Sequence, residues 1–327
     1  MVRFKSTKIL INGMDFGLML LTVLGLCLFE IVSSIDNAVI NAEVLSTMSK
    51  KARKWFLFWG ILFAVFIIRG ILPWLIIYVT APELGFVGAL TATFNSDSAA
   101  HEIIKKSSHI LLMGGGIFLV FLFFHWLFME PKIYGIHYER FFHRHAVWFY
   151  AVVSVLLSIL TWYALKRDPI MGFAAVIGST VFFIVHGFKQ NAEQLEHQLM
   201  HEKKSYSDLS KILYLEVIDG TFSIDGVLGA FAFTFSLPLI LIGNGLGAFT
   251  VRQITISNIE RVKKYKYLKN GAMYSILFLG SIMIAESFGA HIPAWLSPVI
   301  TLAVLGFFFW KSKLELNKNE KKTAHPL

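Results

Sequence analysis

The chain has 327 residues, of which 56% are hydrophobic and 16% charged, whereas a soluble domain carries about 25% charged residues. The apolar residues come in blocks of about 20, long enough to cross the roughly 30 Å hydrocarbon core as helices, so the expected fold is an all-α, polytopic transmembrane bundle in contact with the lipid bilayer. The net charge of +9 then belongs to loops on the cytoplasmic side. That placement argues against a nucleic-acid partner, and the single cysteine, Cys27, excludes an intramolecular disulfide or a Cys-based zinc centre.

The first apolar block outruns a signal-peptide h-region and lacks a small-residue cleavage site, so it is expected to stay as a span. Nine spans are expected, at 14–45 (long, and expected to be broken), 55–79, 109–129, 146–165, 170–187, 213–237, 239–257, 270–289 and 292–310. The sixth and seventh nearly touch at Pro238, and their combined length favours two. Alternate loops then carry 21 Lys and Arg on one side and 7 on the other, with Arg69 and Arg252 inside spans. This asymmetry places the N-terminus outside and the C-terminus in the cytoplasm. Five regions follow: an outside tail, 1–13; a first transmembrane repeat, 14–130; a middle region with two spans and a cytoplasmic loop, 131–212; a second, inverted repeat, 213–290; and a last span with a basic cytoplasmic tail, 291–327.

The repeat rests on two matching elements. Glu30, three residues, then Ser34-Ile35-Asp36 matches Asp219, three residues, then Ser223-Ile224-Asp225. The next span in each half carries Gly, eight residues, then Arg, as Gly60 with Arg69 and Gly243 with Arg252. The first and sixth spans are separated by an odd number of crossings, so the two halves have opposite topology. Inverted repeats of this kind are a frequent transporter architecture, with the site near the midplane on broken helices.

Each of Glu30, Asp36, Asp219 and Asp225 costs roughly 2.5–3.5 kcal/mol in hydrocarbon, so each needs a partner. In a continuous helix, positions six apart point about 120° away from one another. Breaks at Ser33-Ser34, and at Gly220 and Gly226, would let the acids and freed carbonyls converge. Carboxylates with hydroxyl, amide and carbonyl oxygens make a hard site suited to Mn²⁺, Mg²⁺ or Ca²⁺. Ser34, Asn37, Ser223 and Asn244 are the candidate additional ligands, and Asn41 and Glu43 could line an inner vestibule.

Arg69 and Arg252 lie too deep for comfortable snorkelling, and their natural partners are the buried acids. They either neutralise the acids once metal has left, or act as static counter-ions, or bind an anionic substrate. Glu286 and His125 could extend a permeation or proton path, or be structural polar groups facing a cavity. Glu193, His197 and His201 share one face of a helix, which reads more readily as a solvated face than as a metal sensor. The same holds for His137, His143 and His145. Gly114-Gly115-Gly116 lacks the Lys-Ser/Thr of a phosphate loop, so close helix packing explains it better. With no Walker or hydrolase motif, the chain is not expected to be an enzyme, and pumping should draw on an ion gradient.

These residues resemble the TerC family of bacterial integral membrane proteins. The resemblance is carried by Phe29-Glu30 through Ser34-Ile35-Asp36-Asn37, by Glu216 through Asp219 and Ser223-Ile224-Asp225, and by Arg69 and Arg252, over about two thirds of the chain. It implies an inner-membrane protein linked to tellurium resistance and manganese export, with metal ligands at Glu30, Asp36, Asn37, Asp219 and Asp225. Two departures stand out: Gly226 follows Asp225 where the family usually has Ser, and the middle region is enlarged. The expected function is ion-gradient-driven export of a divalent cation, Mn²⁺ foremost, as substrate, with no permanently bound cofactor. The alternative is a non-transporting membrane scaffold or metal-loading partner, and association into a homo-oligomer is compatible with either.

Overall fold

Helix boundaries in the bundle coincide with residues that cannot continue the hydrogen-bond ladder or that supply a missing partner. The computed structural model describes residues 16–60, 63, 69–94, 98–201, 207–257 and 264–324, and among these every regular element is helical. Helix α1 (Phe16–Ser33) gives way at Ser34 (φ −92°, ψ 3°) to α2 (Ile35–Ser46). The ladder nevertheless continues, because Ser34 N donates to Glu30 O at 3.1 Å and Ser34 O accepts from Ala38 N at 2.9 Å. The expected break in the first span is therefore a one-residue interruption with its hydrogen bonds intact.

Helix α3 (Lys50–Trp55) is capped by Ser49, whose hydroxyl accepts from Ala52 N, and runs into a π-helical turn, Phe56–Gly60. Helix α4 (Arg69–Thr80) contains Pro73. After it the chain bends by 100° through Pro82–Leu84 into α5 (Gly85–Phe94), with Gly85 at φ 64°, a left-handed conformation natural to glycine. Helices α6 (Ser98–Phe128), α7 (His137–Arg144), α8 (Trp148–Arg167) and α9 (Pro169–His201) follow. Asp168 ends α8 in an extended conformation before Pro169, and its carboxylate accepts from Ile170 N at 2.9 Å, capping α9. Helix α10 (Asp208–Ala230) is capped by Ser207, and α11 (Leu237–Ser257) carries Pro238 in its first turn. Helices α12 (Leu268–Ser287) and α13 (Leu296–Ala324) complete the bundle.

The separation of α10 from α11 matches the division expected near Pro238. Two segments expected to be loops carry helix instead: α5 (Gly85–Phe94) and residues 98–108 of α6 lie within 80–108, and α9 runs on to His201 through 188–201. Among the described residues, six helices are long and apolar enough to cross a membrane: α1, Lys106–Phe128 of α6, α8, Pro169–Asn191 of α9, Leu237–Ile254 of α11, and α12. The bent pair α4 and α5 makes a seventh if counted as one span. Helix α10 is not among them, since it carries Glu216, Asp219 and Asp225, and α13 turns basic from Lys311.

Helix α6 holds the centre, with Phe118, Phe121 and Trp126 fully buried. Its glycines let neighbours approach backbone to backbone. A Cβ on Gly116 would lie 2.9 Å from Gly280 O of α12, and one on Gly178 of α9 would lie 2.1 Å from Gly114 O. This is the close packing expected of Gly114-Gly115-Gly116. Helix α1 packs on α11 in the same manner, with Gly243 against Leu26 and Gly247 against Cys27 O. Helix α8 presents Val155, Ile159 and Trp162 outward, which suits a lipid-facing surface.

Gly178→Ala should destabilise the protein by about 1–3 kcal/mol, because the added methyl meets immovable backbone. Gly187→Ala on the same helix, where a Cβ meets nothing within 4 Å, should be neutral or stabilising by up to about 1 kcal/mol. Thermal unfolding of both variants in detergent checks this, and equal melting temperatures would contradict the packing assignment.

Candidate cation site

Helix α10 is continuous, so its two motif acids face different neighbours. Glu216, Asp219, Ser223 and Gly226 fall on one face, and Asp225 is turned about 120° from Asp219. The breaks expected at Gly220 and Gly226 are absent: both lie within the helix. An isolated helical glycine costs only about 1 kcal/mol, too little to unwind a packed segment.

Asp219 sits in the first of two polar clusters. It forms an ion pair with Arg252 of α11, both side chains 8% exposed, and accepts from Asn41 Nδ2 of α2 at 3.0 Å. Arg252 also donates to Phe56 O at 3.1 Å and lies 4.5 Å from the Phe56 ring centroid, so the π-helical turn helps seat it. A Cβ on Gly60 would lie 2.3 Å from Glu216 Oε1 and 2.7 Å from Arg252 Nη1. Bare backbone at Gly60 therefore admits both groups. Neither Glu216 oxygen has a hydrogen-bond partner.

The second cluster surrounds Gly226. Glu30 is 1% exposed and accepts from Ser34 Oγ at 2.8 Å. Its Oε2 would lie 2.6 Å from a Cβ on Gly226, and Gly247 of α11 leaves room for its Cβ. Glycine at 226 thus makes space for the Glu30 carboxylate. Asp225, the residue before Gly226, pairs with Lys189 of α9, Nζ to Oδ2, at 2.8 Å. Asn244 donates to Gly226 O at 3.4 Å. Asp225 Oδ1, Asn244 Oδ1 and Ser223 Oγ are buried acceptors without a hydrogen-bond partner, each of which costs about 1–3 kcal/mol unless satisfied.

The expected site residues are thus divided. Glu30, Ser34, Asp225 and Asn244 gather around Gly226, with Ser223 buried on the same helix; Asp219 and Arg252 lie about two turns away along α10. Glu286 lies at the opposite end of α12 from Lys269 and belongs to neither cluster. The side chains of Asp36, Asn37, Glu43, Arg69, Glu193, His197 and His201 lie outside the described residues. Among the described residues, no group of three or more His, Cys, Asp or Glu side chains is arranged to hold a metal ion. Arg252 is paired with Asp219, as both the static counter-ion and the arginine that neutralises the acids once metal has left would be. Sequence reasoning missed Lys189, which lies just past an apolar block and was assigned to a loop. Its signal was helical spacing from His186, three residues earlier.

A model of a family described as a protein of unknown function, DUF475, matches residues 35–320. Among curated proteins, the chain is 28% identical over 153 residues to a UPF0053 protein of Haemophilus influenzae, covering 45% of this chain and 61% of that protein. It is 27% identical over 104 residues to an uncharacterized membrane protein, RP786, of Rickettsia prowazekii, covering 32% of this chain and 35% of that protein. The chain spans less than two thirds of the length of either relative. No solved structure matches it.

Arg252→Met strands Asp219 in the bundle and should cost about 3–5 kcal/mol. Asp219→Asn/Arg252→Met should recover more than half of that loss. A double-mutant cycle on unfolding in detergent measures the coupling, and strictly additive losses would show that the pair is not what holds Asp219.

Proposed function

The chain belongs to the DUF475 family, and for this member we propose ion-gradient-driven export of a divalent cation, Mn²⁺ foremost, by alternating access at the buried acidic cluster around Gly226. The observation that carries this reading is the approach of the Glu30 carboxylate to Gly226, next to Asp225 and nearly 200 residues away in sequence, within an apolar bundle where Asp225 Oδ1, Asn244 Oδ1 and Ser223 Oγ have no hydrogen-bond partner. Carboxylate, hydroxyl and amide oxygens suit a hard divalent ion. Asp36 and Asn37, on α2 two and three residues past Ser34, are assigned to the same site by their place in the motif. The cation is the substrate; no resident cofactor and no enzymatic step is part of the proposal.

The resemblance to the TerC family supports manganese and the outward direction. The two motif copies then belong to inverted halves, 14–130 and 213–290, joined by the middle region 131–212. The expected setting is the bacterial inner membrane, with the N-terminus outside and the basic tail in the cytoplasm. Arg252 acts in this scheme as the counter-ion of Asp219, and Lys189 as that of Asp225.

Cellular metal content in a manganese-loaded, exporter-deficient bacterium tests the reading. Wild type should lower cell manganese, and Glu30→Gln and Asp225→Asn, at matched membrane levels, should reduce export by about tenfold, a loss of roughly 1.4 kcal/mol in site affinity. Manganese unchanged by wild type would point to another cation or to the non-transporting scaffold. A subtler variant tests the geometry: Gly226→Ala meets only the mobile end of Glu30, so it should impair export while leaving stability within about 1 kcal/mol. Unimpaired export in that variant would remove Glu30 from the site.

A further inference from the structure

Between the acidic cluster and the turn after α6 lies a chain of ionisable groups that cation binding does not use. His125 of α6 is buried, with its ring centroid 3.8 Å from that of His186 of α9. Phe149 stands edge-on to His125, and Phe182 stacks on His186, so the imidazoles share an apolar wall. His125 Nδ1 is 3.6 Å from Glu130 Oε1, and Glu130 Oε2 is bridged by Lys269 of α12 at 2.8 Å. On the other side, Lys189 follows His186 by three residues on α9 and holds Asp225 of α10 at 2.8 Å. Lys132, in the turn after α6, is a further charge beside Glu130.

We propose that His125 and His186 form a single proton-binding site, linked electrostatically through Lys189 to Asp225, and that this proton is the ion exchanged for the exported cation. The proposal rests on the export reading above. Two imidazoles this close in an apolar setting are not both cationic, so the pair holds at most one proton. While Lys189 is paired with Asp225, its charge is compensated and the proton is tolerated. A cation arriving at Asp225 frees the ammonium, which lies within one helical turn of His186 and repels the proton.

The proton leaves by Glu130, whose side chain is 28% exposed. Burial alone would push the Glu130 carboxyl up, but His125 and Lys269 hold it well below the usual carboxylate range, so it stays an anionic acceptor. Each cycle forms one N–H bond on an imidazole from a proton taken up from water while the site faces the side on which the cation is released. That bond breaks, and the proton returns to water, when the cation binds.

Titration calorimetry of the purified full chain with Mn²⁺, in two buffers of different ionisation enthalpy, counts the protons released per cation. Wild type should release about one. His125→Gln/His186→Gln should release almost none while binding Mn²⁺ within about threefold of wild type. Undiminished release in that variant would overturn the proposal. Histidine-resolved ¹⁵N NMR of the wild type gives a measure that needs no variant. One shared protonation step for the two rings supports the pair, and two independent steps sink it. If wild type binds no Mn²⁺, the export reading fails on its own, and the NMR titration still decides whether the histidines form a one-proton site.

Discussion

An ionised carboxylate in hydrocarbon costs roughly 2.5–3.5 kcal/mol even on the permissive insertion scale, and the arrangement of helices around α10 follows from how that cost is offset. Asp219 takes Arg252 from α11 and Asn41 from α2; Asp225 takes Lys189 from α9. Because α10 is unbroken, acids six residues apart point in directions about 120° apart. One helix thus reaches two sets of neighbours. Unwinding it to bring both acids to one face would have cost several backbone hydrogen bonds and left each acid without its cation.

Close approach is the second requirement, and glycine supplies it at the points where charge is buried. Gly226 and Gly247 leave the space that Glu30 fills, and Gly60 leaves the space that Glu216 and Arg252 fill. The repeated Gly, eight residues, Arg element acquires a physical meaning from this. The glycine of one copy, Gly60, receives the arginine of the other, Arg252, so the two copies are packing partners as well as sequence relatives. Their contact is sealed by the Phe56 carbonyl and ring beneath the guanidinium.

What the sequence made legible were the charges with no solvated alternative. Glu30, Asp219, Asp225 and Arg252 sit within apolar runs, and burial with partners was the only reading that physics allowed; the glycine triplet of α6 likewise had no phosphate-loop chemistry around it. Lys189 was not legible, since hydropathy ends at Phe188 while helix propensity does not. Gln190, Asn191, Ala192 and Glu193 prolong α9 past the apolar block, and that continuation brings Lys189 to Asp225. Hydropathy failed in the same way at the start of α6, where polar residues from Ser98 to Ser108 hid the helix. Gly220 and Gly226 misled in the other direction: their role is room for neighbours, and the helix bears their modest cost. The motif residues Asp36 and Asn37 contribute only their place on α2, because their side chains lie outside the described residues.

The cluster around Gly226 is not built from the repeated motif alone, and the asymmetry bears on how such a site could cycle. Glu30 and Asp225 come from the two motif copies; Glu30 accepts from a neutral hydroxyl, Ser34, while Asp225 pairs with an ammonium from α9. A hydroxyl can stay beside a carboxylate that binds a cation; an ammonium cannot, because two positive charges would compete for one oxygen pair. On the export reading, Asp225 is therefore a residue whose partner must change at each turnover. Lys189 is suited to that exchange, since its long, flexible stem lets the head move without displacing α9. The same helix carries His186 one turn away, so a local side-chain movement changes the field at the imidazole pair. A coupling device of this kind needs no large rearrangement of the bundle at the moment of exchange, and it locates the chain's specialisation in the middle region that separates its two motif copies.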